Sequence, residues 1–246
     1  MDYKKAIENR RSRRTYLDKP ISQSSENRIR QLIAGANEES GLHMQLQINN
    51  GNGLSGIKMS YGMFKNVHHY IALVGKKDDP ELSEKLGYCG EKIVLEATLL
   101  NLGTCWVGGT YDKKSCDCEV GEDETLLGII TIGYTPEKQS LMEKAIHSII
   151  SRKTKKIEDM LTSDVKIPQW MVEGMQAVQK APSAVNKQPV QFTYNNGKLT
   201  AQVKLKLGYE MMDLGIAKLH FEIGSDYFGK WERGNGKEFL VGEKNQ

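Results

Sequence analysis

Ala181-Pro182-Ser183-Ala184-Val185-Asn186-Lys187-Gln188-Pro189-Val190-Gln191-Phe192 lies between a helix-like run and a strand-like run. Pro182 and Pro189 fix the backbone and remove two N–H donors. Ser183, Asn186 and Gln188 then offer neutral donors and acceptors on a stiffened loop. Such a loop suits a flat, uncharged heterocycle with several polar edges. The same residue types also suit an ordinary helix-to-strand connection.

The pattern Ala-Pro-Ser-Ala-x-Asn-x-Gln-Pro resembles the flavin-contacting loop of the nitroreductase family, the FMN-dependent NAD(P)H oxidoreductases. Two further stretches resemble the same family. Arg10-Arg11-Ser12-Arg13-Arg14-Thr15-Tyr16 is similar to its N-terminal phosphate-gripping segment, and Gly103-Thr104-Cys105-Trp106-Val107-Gly108-Gly109 to the turn near its flavin ring. Their order is unusual. In family members the Pro-Ser loop follows soon after the arginine segment, whereas here it lies beyond the Gly-Thr-Cys-Trp turn.

The chain has 246 residues, 39% hydrophobic and 26% charged, enough for a sizeable core as one large domain or two small ones. The net charge of +3 is too mild to argue for nucleic acid. No apolar run approaches a membrane-helix length, and Met1-Asp2-Tyr3-Lys4-Lys5 lacks a signal-peptide core, so a cytoplasmic protein is expected. Cys89, Cys105, Cys116 and Cys118 include no C-x-x-C pair, and the histidines do not stand at ligand spacing to them. No metal site is expected, and Cys116-Asp117-Cys118 reads as reduced, structural thiols in a charged loop.

Helices are expected at 2–9, with Asp2 as cap, at 23–36, with Ser22 as cap, and at 89–101, stopped by Gly103. Further helices are expected at 169–180 and 211–224. Tyr70–Gly75 and Leu127–Tyr134 read as buried strands. Val190–Tyr194 and Leu199–Leu207 flank the hairpin signal Asn195-Asn196-Gly197-Lys198. Residues 41–62, rich in glycine, read as loop or hairpin. The polar run 151–159 marks a boundary between units 1–150 and 160–246.

A weak internal repeat lays Asp213–Phe221 over Tyr88–Glu96, and sets Ala34–Asn37 where the second half has Ala181–Ala184. The first half keeps the arginine segment and the Gly-Thr-Cys-Trp turn. The second keeps the Pro-Ser loop. Since family members are usually homodimers whose flavins are held by both subunits, the resemblance implies an α+β fold of two fused nitroreductase-like half-domains packed as an intrachain pseudo-dimer. A monomer then suffices.

The resemblance also implies the site. Arg10, Arg11, Ser12 and Arg14 would hold the FMN phosphate, their planar forks binding its oxygens bidentately. A solvated basic patch is another reading of that run, and nucleic-acid binding a third that no aromatic or basic companion segment supports. Arg13 matches no family position and is expected outside the site. Thr104, Cys105, Trp106, Val107 and Gly108 would bring backbone amides close to the ring, with Trp106 equally suited to a core. Pro182, Ser183, Asn186 and Gln188 would lie along the pyrimidine edge. No general acid or base is implied, since the cofactor carries the chemistry. His68, His69 and His147 read as surface or core residues. The implied activity passes a hydride from NAD(P)H through FMN to a small-molecule electron acceptor, nitroaromatic or quinone-like. Its pocket is expected from the loops 41–66 and 112–124. A flavin-binding or sensing protein without turnover, and a scaffold that has lost FMN, are the rival classes.

Overall fold

The computed structural model describes residues 2–51, 64–150 and 154–242. The chain divides into two compact units, and they are interleaved along the sequence. The described residues of 9–82 and 92–151 make the first, and those of 1–8, 83–91 and 152–246 the second.

In the first unit, α2 (Gln23–Ser40) precedes a four-stranded antiparallel sheet of order β1-β2-β4-β3. The strands are β1 (Gln45–Gln47), β2 (His69–Lys76), β3 (Gly103–Val107) and β4 (Glu124–Gly133). Ser22 caps α2, its side chain accepting from Ser25 N, and Gly41 closes the helix in the left-handed conformation at φ 66°. β2 is buried at every residue but Lys76, which explains its unbroken apolar run. α4 (Leu141–Ile150) completes the unit.

The second unit contains α1 (Tyr3–Asn9), α5 (Ile157–Met160), α6 (Gln169–Val178) and α7 (Glu210–Gly224). Its sheet has the order β5-β6-β7, from Leu161–Ser163, Gln191–Asn195 and Lys198–Gln202, with β5 and β6 parallel. A ribbon of β8 (Gly229–Trp231) and β9 (Phe239–Val241) stands beside it. The core is aromatic: Phe221 packs edge-on to Phe239 at 5.1 Å, and Trp170 stacks on Phe228 at 4.6 Å. Every residue of α7 but Met211 is buried. Two glycines let backbones meet there: a Cβ on Gly87 would reach Met212 O at 2.1 Å, and one on Gly215 would reach Glu84 O at 2.0 Å.

Of helix α3 (Leu82–Leu99), residues 83–91 belong to the second unit and the rest to the first. It starts seven residues before the expected Cys89, because Glu84 and Tyr88 interrupt the apolar pattern ahead of that residue while being matched by polar partners. Lys218 donates to Glu84 Oε1 at 2.6 Å, Tyr88 to Glu222 Oε2 at 2.5 Å, and His220 Nε2 meets Glu91 Oε1 at 3.0 Å. The helix stop is also corrected. Asn101, at φ 59°, takes the left-handed position after α3, and Gly103 opens β3 instead. The expected Gly-Thr-Cys-Trp turn is thus a strand. Ala34–Asn37, laid against the Pro-Ser loop by the repeat, are helical residues of α2. β7 ends at Gln202, before the exposed Leu205 and Leu207. Of the loop expected at 41–62, residues 52–62 lie outside the described residues, and β1 occupies part of the remainder.

Candidate functional site

The arginine segment follows α1 directly and becomes an extra edge on the first unit's sheet. Ser12 bridges Thr104 in parallel fashion, and Arg13 N donates to Thr104 O at 2.8 Å. Tyr16 anchors the segment from behind: its hydroxyl donates to Arg13 O at 2.8 Å and meets Thr131 Oγ1 at 2.6 Å. Gly103 is required at this crossing, since a Cβ would stand 2.3 Å from Thr135 Cγ2 and 3.0 Å from Arg13 Cβ. The stitched strand brings Arg10, Ser12, Arg14 and Cys105 together. Burial pushes the Cys105 thiol up, opposed by the charges of Arg14 and Arg10 and by a hydrogen bond from Ser12. The thiol therefore stays protonated and is no nucleophile.

The remaining predicted residues of this unit divide sharply. Arg11 is exposed and donates to Arg10 O at 2.8 Å. Val107 packs into the core beside Tyr70 and Ile129, so only its backbone is available to a ligand. Thr104 is buried, while Trp106 and Gly108 are half-buried. His69 is buried and accepts from Asn49 N at 3.1 Å, and His68 lies 3.5 Å from Asp18. The side chain of His147 lies outside the described residues. Among those residues no group of three His, Cys, Asp or Glu could hold a metal ion, and no helix is long and apolar enough to cross a membrane.

Arg13 and an acid that sequence reasoning missed fix the segment's course. Glu143 Oε1 accepts from Arg14 N at 2.7 Å, Thr15 N at 3.2 Å and Arg13 Nε at 3.3 Å. Its Oε2 accepts from Ser140 N at 2.8 Å, and Ser140 Oγ accepts from Glu143 N at 3.1 Å. This is a capping box, and the signal Ser140-x-x-Glu143 before an apolar run was present in the sequence. Arg13 Nη1 and Nη2 donate to Thr135 Oγ1 and Pro136 O, each at 2.8 Å. Its guanidinium is fully committed to the scaffold.

In the second unit the Pro-Ser loop is held from beneath. Ser183 Oγ accepts from Gln188 N at 2.9 Å, while Ala184 N donates to Asp213 Oδ1 at 3.0 Å. Val185, Asn186 and Gln188 have φ of 46°, 53° and 45°. A β-branched residue at such a φ is an outlier, sustained only where the surroundings over-determine it. Gln188 is corrected from edge contact to anchor. Its Oε1 accepts from Lys155 N at 3.0 Å and its Nε2 donates to Gln179 O at 3.0 Å, so its amide is consumed inside the protein. Pro182, Ser183 and Asn186 remain half-buried. Pro182, Ser183, Gln188 and Asp213 line one small recess.

Burial raises the Asp213 carboxyl to about 7, with the Ala184 N–H opposing and Glu210 adding to the rise. The folded chain thus holds a proton that the unfolded chain releases near its ordinary value. Stability from this group is full at acid pH and falls as pH climbs to about 7. Asp213→Asn is expected to remove that slope, gaining up to about 4 kcal/mol over wild type by pH 8. Parallel denaturation curves for the two proteins between pH 4 and 8 would refute the assignment.

A family model described as "Putative TM nitroreductase" matches residues 2–225. A search of the curated proteins found no match. Among solved structures, the chain is similar to a "putative nitroreductase" from Thermotoga maritima, 23% identical, covering 98% of this chain and 93% of that one at a TM-score of 0.63. It is also similar to an FMN-dependent nitroreductase from Clostridium difficile, 21% identical over 55% of this chain and 88% of that one, TM-score 0.45. A "putative nitroreductase in complex with FMN" from Desulfovibrio desulfuricans is 17% identical over 58% of this chain and 95% of that one, TM-score 0.43. The likeness to the Thermotoga protein shows a shared α+β fold. With the family model spanning residues 2–225, the chain belongs to the nitroreductase family that the model describes.

Proposed function

We propose that this chain is an FMN-dependent oxidoreductase that passes a hydride from NAD(P)H, by way of the flavin, to a small nitroaromatic or quinone-like acceptor. The observation that carries the reading is the convergence of Arg10, Ser12 and Arg14 around Cys105 in a chain of this family. Two forked cations and a hydroxyl on one rigid edge fit a phosphate monoester. Glu143, whose charge acts on Cys105 beside them, is already engaged by Arg13 and backbone amides. Bound FMN would supply the two-electron chemistry. The chain's own part is to grip the phosphate with these residues and to orient the ring with backbone groups of Thr104–Gly108 and with Pro182, Ser183 and Asn186.

The fused-half reading belongs to the same proposal. Each set of flavin contacts occurs once in the sequence, so one FMN per chain is expected. Flavin absorbance against protein concentration checks this, and two tightly bound flavins per chain would contradict it. The reading calls for no membrane and no nucleic acid. It is compatible with a cytoplasmic monomer.

Purified protein is expected to be yellow, to bleach anaerobically with NADH or NADPH, and to recover colour on adding a quinone. Bleaching without recovery would indicate sensing rather than turnover. A colourless protein that takes up no FMN would refute the proposal. Arg14→Ala should cost about 1.5–3 kcal/mol of FMN binding, roughly ten- to a hundredfold in Kd. Arg13→Ala should instead lower the unfolding free energy, because it strips a partner from buried Glu143. A larger direct loss of affinity at Arg13 than at Arg14 would shift the phosphate assignment by one residue.

A further inference from the structure

Arg13 and Arg14 are neighbours, and the structure holds them in opposite ways. Arg13 spends its guanidinium on Glu143, Thr135 and Pro136. The half-buried Arg14 guanidinium has no hydrogen-bond partner among the described residues. What it meets is a ring: its Cζ stands over Phe64, 6.0 Å from the ring centroid. We infer that Phe64 is a positioning residue for the phosphate grip, an inference that rests on reading Arg10, Ser12 and Arg14 as that grip. Phe64 would fix the Arg14 fork in place, leave its N–H groups to the anion, and so supply part of the preference for phosphorylated over unphosphorylated flavin.

The backbone sets the two side chains together. Residues 64–66 run beside residues 14–16 and bond to them. Thr15 and Lys65 form a parallel bridge, Lys65 N donates to Arg14 O at 2.9 Å, and Tyr16 N donates to Lys65 O at 3.0 Å. Asn66 Nδ2 adds a bond to Tyr16 O at 3.4 Å. Arg14 and Phe64 each stand one residue before the bridged pair, so they are neighbours on one face. The ring is itself braced: it is half-buried and packs on the apolar cluster of Tyr70, Val107 and Ile129. The floor under Arg14 is thus part of the sheet's own packing.

A ring serves here where a carboxylate would not. An acid beside Arg14 would accept from its fork, as Glu143 does from Arg13, and leave less for a ligand. An aromatic face attracts the cation through its quadrupole and takes no N–H. The donors of the fork stay available for phosphate oxygens. Holding a long side chain in place beforehand also lowers the ordering cost of binding. An aliphatic residue at position 64 would cover the same floor without that attraction. Only the phosphate of the ligand meets this fork, so the effect should appear with FMN and be missing with riboflavin.

The test is the Kd of FMN and of riboflavin for the flavin-free full chain, read by quenching of flavin fluorescence. Wild type is expected to prefer FMN by about tenfold or more. Phe64→Leu and Phe64→Met should each weaken FMN about five- to tenfold and leave riboflavin within about twofold. Phe64→Tyr, which keeps the ring face, should stay within about twofold of wild type for both flavins. In an Arg14→Ala background Phe64→Leu should change neither Kd, since the cation it braces is gone. Thermal unfolding checks that each variant is folded. Equal losses for both flavins would make Phe64 ordinary packing and overturn its role while leaving the arginine edge intact. An unchanged FMN Kd in the Leu and Met variants, or a Tyr variant as weak as Leu, would do the same. A wild type that binds FMN and riboflavin alike would remove the phosphate grip itself, and the role of Phe64 with it.

Discussion

Glu143→Ala is expected to be the single substitution most damaging to the arginine segment, though Glu143 would touch no ligand. Its side chain is 2% exposed and collects four donors: Arg14 N, Thr15 N, Arg13 Nε and Ser140 N. Removing the acceptor leaves backbone amides and a guanidinium without their charge partner in a buried place. Breaking such a pair from one side costs about 3–5 kcal/mol. Glu143→Gln should be nearly as harmful, because an amide NH₂ would point a donor at donors. The damage should reach function through Arg14, whose backbone Glu143 holds. FMN affinity is expected to fall together with the free energy of unfolding, whereas Arg14→Ala loses affinity with little change in stability. The same carboxylate sets an acid limit. Burial alone would raise it, but the N–H groups of Arg14, Ser140 and Thr15 and the charge of Arg13 hold it below the ordinary value. Its contribution is complete above the ordinary carboxylate value and is lost as pH falls through the lowered one. Loss of that acid sensitivity in Glu143→Gln, measured by denaturation between pH 3 and 6, checks the assignment. An unchanged acid limb would refute it.

How much of this was legible in the sequence depended on whether a residue's partner was near it. Ser22 as a cap and the apolar faces of α6 and α7 obey local rules of spacing and hydrogen bonding, and the structure has them. The start of α3 was hidden because Glu84 and Tyr88 look like surface residues until Lys218 and Glu222, far along the chain, cover them. The role of Gln188 was misjudged for the same reason, since its amide is consumed by Lys155 and Gln179. Thr104–Val107 read as a turn because glycines flank it. The pairing of Cys105 with Thr131 and of Trp106 with Ile130 makes it a strand. Glu143 alone was readable and overlooked, through its Ser-x-x-Glu box.

Cutting the chain between residues 150 and 160 is expected to leave residues 160–246 unfolded, although the polar run 151–159 invites the cut. The reason lies in the first half of α3, which belongs to the second unit. The piece 160–246 would keep Lys218, His220 and Glu222 while losing Glu84, Glu91 and Tyr88. Lys218 is 1% and His220 0% exposed, so neither can turn to water without opening the core. At about 3–5 kcal/mol for each broken buried pair, two such losses match the roughly 5–15 kcal/mol that holds a domain together. The surfaces of Met212 and Gly215 that meet α3 would be stripped as well. Mixing in residues 1–159 returns the three partners and Lys155, which holds Gln188, so order and FMN binding should reappear together as the pieces associate. Circular dichroism with protease resistance reads the first, and quenching of FMN fluorescence the second. Cooperative unfolding of 160–246 alone would show that the pairs with α3 contribute little. Full FMN affinity in 1–150 alone would show that the Pro182–Gln188 loop is a connector, since that fragment carries the arginine edge without the loop.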